Sequence, residues 1–156
     1  MPDKINQPQN IQIKEAKVQV DLAWSRTFGK DMTDRFTSAQ KFVDSECIRL
    51  MVPYTPMLNG IMMKSPVLGT KIGSGQIEYF NPYARYQYYG KLMVSRITGS
   101  SYASQGESKV LTDVDLNYNV FRHPLAGPFW FERMKKEKMP QIIKGAAKYS
   151  GGMPIR

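Results

Sequence analysis

Hydrophobic positions along this chain fall into two spacings, and the spacing sets the element expected. Ile11 and Ile13 alternate with polar residues, and Val18, Val20 and Leu22 do the same. Period-two alternation predicts a strand around Lys17 to Ala23, with a partner run just before it. From Thr27 to Met51 the period changes. Phe28, Met32, Phe36, Ala39, Val43, Cys47 and Leu50 recur at three- and four-residue steps, one apolar stripe on a long helix that Pro53 ends. Pro53 to Ser65 holds prolines and an Asn-Gly pair, the composition of a shaped loop rather than a helix.

Val67 to Ile72 and Gln76 to Tyr79 are expected to form a hairpin around Gly73-Ser74-Gly75. Asn81-Pro82 then punctuates the chain, and Tyr83, Tyr86 and Tyr89 sit one helical turn apart before Gly90. Leu92 to Ile97 is a further short strand, Gly99 to Ser108 a small polar loop, and Val110 to Val120 a weak strand. After a turn over Pro124 to Pro128, Phe129 to Lys148 reads as a closing helix. Trp130, Met134, Ile142 or Ile143, and Ala146 mark its buried face. Pro140 should kink or split it, because proline removes a backbone bond and clashes with the preceding turn. Strands between two helical patterns predict an α+β fold: an antiparallel sheet packed by the Thr27–Met51 and Phe129–Lys148 helices.

At 156 residues one domain, 1–156, is expected. Polar ends at Met1 to Asn10 and Gly151 to Arg156 suggest flexible arms. Neither a signal peptide nor a membrane span is expected, since Met1 to Asn10 has no apolar run and no stretch nears about 20 apolar residues.

The chemistry-bearing residues are sparse. The single cysteine, Cys47, lies on the apolar stripe and reads as core. The single histidine, His123, precedes Pro124 in a turn. No metal-ligand cluster, nucleophile–base pair or phosphate loop is present in the pattern, so no catalytic residue, metal or cofactor is expected. The net charge is +9, which favours a polyanionic partner. Yet the one dense basic run, Arg133 to Lys138, contains Glu137 and reads as a solvated helix face.

The densest aromatic stretch is Gln76 to Leu92, with five of the nine tyrosines. Tyrosine suits a surface with one dry and one wet side, so this stretch either covers the core or makes a subunit interface. Tyr54, Tyr79, Tyr83, Tyr86, Tyr88 and Tyr89 are the interface candidates.

Two motifs carry a resemblance. Pro53-Tyr54-Thr55-Pro56-Met57 with Gly60 and Ser65, and Asn81-Pro82-Tyr83-Ala84-Arg85 with Gln87-Tyr88-Tyr89-Gly90, are similar to minor capsid proteins of tailed phages of Gram-positive bacteria. The Phe129–Met134 stretch resembles the closing helix of phage tail-completion proteins. The motifs cover about a third of the chain and the element order most of it. The resemblance implies a structural virion protein of the neck, assembled in the host cytoplasm. It implies a homo-oligomeric ring, commonly a hexamer, joining head to tail around the DNA channel. Adjacent neck and tail proteins and packaged double-stranded DNA, held without sequence specificity, are the implied partners. A small basic DNA-binding module is the competing expectation. Against it, no helix concentrates basic residues and the tyrosines are not interleaved with them.

Overall fold

A computed structural model describes residues 4–152. The order is β1 (Ile11–Glu15), β2 (Val18–Leu22), α1 (Phe28–Met51), α2 (Ile61–Gly69), α3 (Ala84–Tyr89), β3 (Lys91–Ser95), β4 (Lys109–Asp115) and α4 (Trp130–Ser150). The fold is α+β, with two antiparallel two-stranded sheets in place of the single sheet expected: β1 with β2, and β3 with β4. The chain forms two compact units, both interleaved in sequence. One holds Met1–Ser45, Ile72–Gly75 and Gln141–Arg156; the other holds Glu46–Lys71 and Gln76–Pro140.

The first unit contains the hairpin, the first part of α1 and the last part of α4. Alternation over Ile11–Leu22 produces strands in the register Ile11↔Leu22, Ile13↔Val20 and Glu15↔Val18. Ala16 in the turn carries a φ of 41°, a conformation that β-carbon sterics disfavour. α1 starts where Thr27 O accepts from Asp31 N, at 2.8 Å. The arm expected over Met1 to Asn10 is tied down where it is described. Ile5 N donates to Thr33 Oγ1 at 3.0 Å, and Gln7 Oε1 accepts from Gly29 N at 2.9 Å. Gly29 permits this approach, because a Cβ there would lie 2.9 Å from Ile5 O. Residues 1–3 and 153–156, which complete the two expected arms, lie outside the described residues.

Asp44 is 3 % exposed in this unit, and sequence reasoning passed over it. Its carboxylate accepts from Gln40 Nε2 at 2.7 Å, Gly73 N at 2.7 Å and Gly75 N at 3.2 Å. A buried carboxylate needs such donors. They pin the Ile72–Gly75 loop to α1, and this is where the expected hairpin around Gly73-Ser74-Gly75 fails. Further along, the Phe42 and Tyr149 rings stack at 5.1 Å. Ile142 is buried while Ile143 is exposed, which fixes the inward face of this part of α4.

The second unit holds the larger apolar core: Cys47, Ile48, Leu50, Met51, Tyr54, Ala84, Met93, Ala126, Trp130, Met134. Cys47 is buried, as its place on the stripe predicts, whereas Phe36 on the same stripe is exposed. α2 corrects two expectations together. The proline loop becomes helical at Ile61, after Gly60 at φ 80°, and the predicted strand from Val67 instead continues α2 to Gly69. Val67 and Leu68 are both exposed, so they do not alternate in burial as strand residues would. Residues 76–80 form no strand either, but rest on side-chain acceptors. Glu78 N donates to Thr70 Oγ1 at 3.0 Å and Asn81 N to Ser65 Oγ at 3.3 Å. α4 runs through Pro140 without a break, so of the expected kink or split the split is absent.

Candidate functional site: the tyrosine segment and its groove

Asn81 Oδ1 accepts from Tyr83 N at 2.8 Å, a local turn that launches α3. Gly90 ends α3 at φ 71°, as the sequence predicts. A Cβ at Gly90 would stand 2.9 Å from Pro128 Cβ, so both conformation and space demand glycine. Tyr88 O then accepts from Phe129 N at 2.8 Å, joining α3 to the start of α4. Phe129 itself has a φ of 48°, unusual for a bulky residue.

The six candidate tyrosines divide. Tyr54 is 3 % exposed; its hydroxyl donates to Glu137 and the Arg133 guanidinium lies 5.7 Å from its ring centroid. Tyr54 is therefore an internal residue of this chain, and the interface role expected of it is corrected. Tyr79 packs on Trp130 with ring centroids 5.5 Å apart, and burial raises its pKa. Tyr88 meets Trp130 edge-on at 4.8 Å and donates to Glu132. Its pKa is strongly raised, first by burial and then by that carboxylate. Tyr79 and Tyr88, both half-buried, thus pack against the buried Trp130. Tyr86 is half-buried under Lys109, whose Nζ lies 5.1 Å from the ring centroid. Tyr83 and Tyr89 are exposed, at 59 % and 48 %.

Tyr83 borders a groove of about 490 Å³. Its apolar lining comes from Met57, Leu58, Ile61, Met62 and Tyr118, and five carboxamides complete it: Asn59, Asn81, Gln87, Asn117 and Asn119. Tyr118 is fixed by donating to Gln87 O at 2.5 Å. No acidic or basic side chain lines the groove, so it suits an uncharged surface with amide groups, such as a protein segment. Asn117 and Asn119 lie in the stretch read only as a weak strand, and nothing in that alternation marked them; the proximity of these two carboxamides to α3 is a product of the fold.

His123 Nδ1 lies 2.7 Å from Thr55 O, which makes it a donor holding a turn. Among the described residues, no group of three or more His, Cys, Asp or Glu is placed to hold a metal ion. No helix among them is long and apolar enough to cross a membrane. The basic run is partly engaged: Arg133 faces Tyr54, and Lys138 pairs with Glu137 at 2.6 Å. Compared with protein families, curated proteins and solved structures, the chain matches none of them.

Proposed function

We propose that this chain is a structural protein of a tailed-phage neck, one subunit of a ring that joins the DNA-filled head to the tail. The reading is supported by the two proline- and tyrosine-containing motifs and their order along the chain. The observation that carries its assembly role is the surface of the second unit. Leu58, Ile61, Phe80, Tyr83 and Tyr89 are large, apolar and between 48 % and 85 % exposed, and the first two and Tyr83 border an uncharged groove. Exposed apolar surface of this density marks a site of association. A ring repeats one pair of unlike patches, so the same surface serves at every step around it. In that ring Lys135 and Lys136, both exposed, are available to phosphates, which need no base contact. Neighbouring neck and tail proteins would occupy the ring's two ends.

The test is a phage carrying Tyr83→Ser and Tyr89→Ser in this gene. The proposal expects a folded subunit but DNA-filled heads and tails that remain separate in electron micrographs. Intact virions at normal yield would move the interface elsewhere. Intact virions from a phage lacking the gene would overturn the neck role.

A further inference from the structure

The groove beside Tyr83 has an unequal supply of donors and acceptors. Three of its carboxamides are tied back by their oxygens. Asn59 Oδ1 accepts from Ile61 N at 3.2 Å, Asn81 Oδ1 from Tyr83 N at 2.8 Å and Asn119 Oδ1 from Phe121 N at 2.9 Å. A backbone N–H can only donate, so the atom facing it is the oxygen, and the end left over is the nitrogen with its two donors. Among the described residues no protein acceptor takes these three nitrogens, nor those of Gln87 and Asn117, which complete the set. The rest of the lining is apolar, and no side chain in it carries a charge.

We propose that this groove binds a proline-rich segment of a partner protein in the polyproline II conformation. The supply of donors selects that occupant. Proline has a carbonyl but no N–H, so a run of prolines brings acceptors for the carboxamide nitrogens and no backbone donors of its own. A polyproline II segment makes no internal hydrogen bonds, which leaves its carbonyls available. An amphipathic helix bonds its carbonyls internally and would cover the five nitrogens without satisfying them. A nucleotide would bring phosphates into a groove with no cation to meet them. Shape agrees with chemistry. Tyr83, 59 % exposed, offers the aromatic surface on which such segments dock. A volume of about 490 Å³ lies in the range of ligand sites and takes a short segment rather than a folded domain. A proline-rich chain is already extended and stiff, so docking it loses little entropy. The inference names what the groove takes, and it stands on the groove whether or not the chain serves in a neck.

The experiment titrates the full purified chain, isotope-labelled, with an end-blocked peptide of about nine L-prolines, three turns of the helix, and follows the carboxamide N–H signals by NMR. The proposal expects the signals of Asn59, Asn81, Gln87, Asn117 and Asn119 to shift on one saturating curve. The signal of Asn10, whose oxygen accepts from Trp24 N in the other unit, should stay still. The D-proline peptide, equally apolar but of opposite hand, should bind at least about tenfold more weakly. Asn59→Asp combined with Asn119→Asp keeps both oxygens for their turns and removes two donor groups. It should weaken binding about tenfold with unchanged circular dichroism, and Tyr83→Ala should do so by at least as much. If the double variant fails to fold, the titration of the unsubstituted chain decides alone. Groove signals that stay still at millimolar peptide would overturn the proposal, as would equal binding of the two hands or full affinity in the folded double variant. Saturation of the groove by an amphipathic helical peptide or a thymidine oligonucleotide in place of L-proline would overturn it too. Peptide binding by a chain that proves absent from necks would keep the site and remove the neck. Necks that need the chain, with no peptide binding, would do the reverse.

Discussion

The two β-ribbons differ in almost everything except the alternation that predicts them. β1 and β2 are joined by two residues, keep an unbroken register and leave all ten of their residues exposed. β3 and β4 are joined by residues 96–108, shift register between Lys91 and Met93, and bury one side of β3. Met93 and Ser95 are 8 % and 1 % exposed. The long connection of the second ribbon is stitched by Ser95, whose hydroxyl donates to Glu107 and accepts from Thr98 N at 2.9 Å. β4 is also held by Thr112 Oγ1, which donates to Leu92 O at 2.8 Å. The first ribbon has local order without burial, and the second has burial despite irregular local order. Alternation therefore announces a strand but does not say whether its apolar face is covered within the chain or beyond it.

Truncating one apolar side chain in each ribbon should separate them most. Met93→Ala removes a core side chain and should cost about 2–4 kcal/mol in denaturant unfolding. Val20→Ala, on an uncovered face, should fall within about 0.5 kcal/mol for the free chain. Equal losses would mean that the hairpin is already packed. Ser95→Ala should cost about 1–2 kcal/mol, because it strips a buried donor and acceptor from the β3–β4 connection. Gln19→Ala, which removes only an exposed bond to Asp21, should be close to neutral in the same measurement.

Alkaline pH gives a third contrast. Tyr118 follows β4 and its pKa is pushed up to about 12, chiefly by burial. The folded chain thus holds this proton longer than the unfolded chain, whose tyrosines titrate near 10. Its contribution is complete below pH 10 and is lost as pH rises through 12. Unfolding midpoints should fall over that window, and Tyr118→Phe should flatten the slope. The hairpin contains no tyrosine, so exchange of its amides, corrected for intrinsic rates, should not follow the same curve. The smallest effect is expected at the tight turn. Ala16→Gly relieves a φ of 41° and, after the extra chain entropy of glycine, should stabilise by about 0.5 kcal/mol.

Long-period features were legible in the sequence. The α1 stripe, the α4 face at Trp130 and Met134, and the Gly90 stop follow from spacing and from what glycine alone tolerates. The hairpin predicted over Val67 to Tyr79 failed because Gly73 and Gly75, which look like a turn between strands, supply backbone donors to Asp44 instead. That bond joins residues about 30 apart, and no local pattern encodes it. Within the candidate site, the tyrosine density was visible, but its division was not. Tyr54 is buried beside Arg133, and Tyr79 and Tyr88 pack on Trp130, all far away in sequence. Tyr83 and Tyr89 remain outside.

The most direct measurement is hydrogen exchange of the Ile11–Leu22 amides in the free chain and in the assembly that the proposed role requires, with Lys91–Ser95 as the internal standard. Covering the apolar face should slow exchange in the hairpin by at least about tenfold, with no comparable change in β3. Equal exchange of the hairpin in the two states would contradict the account, because assembly would then leave that apolar face uncovered.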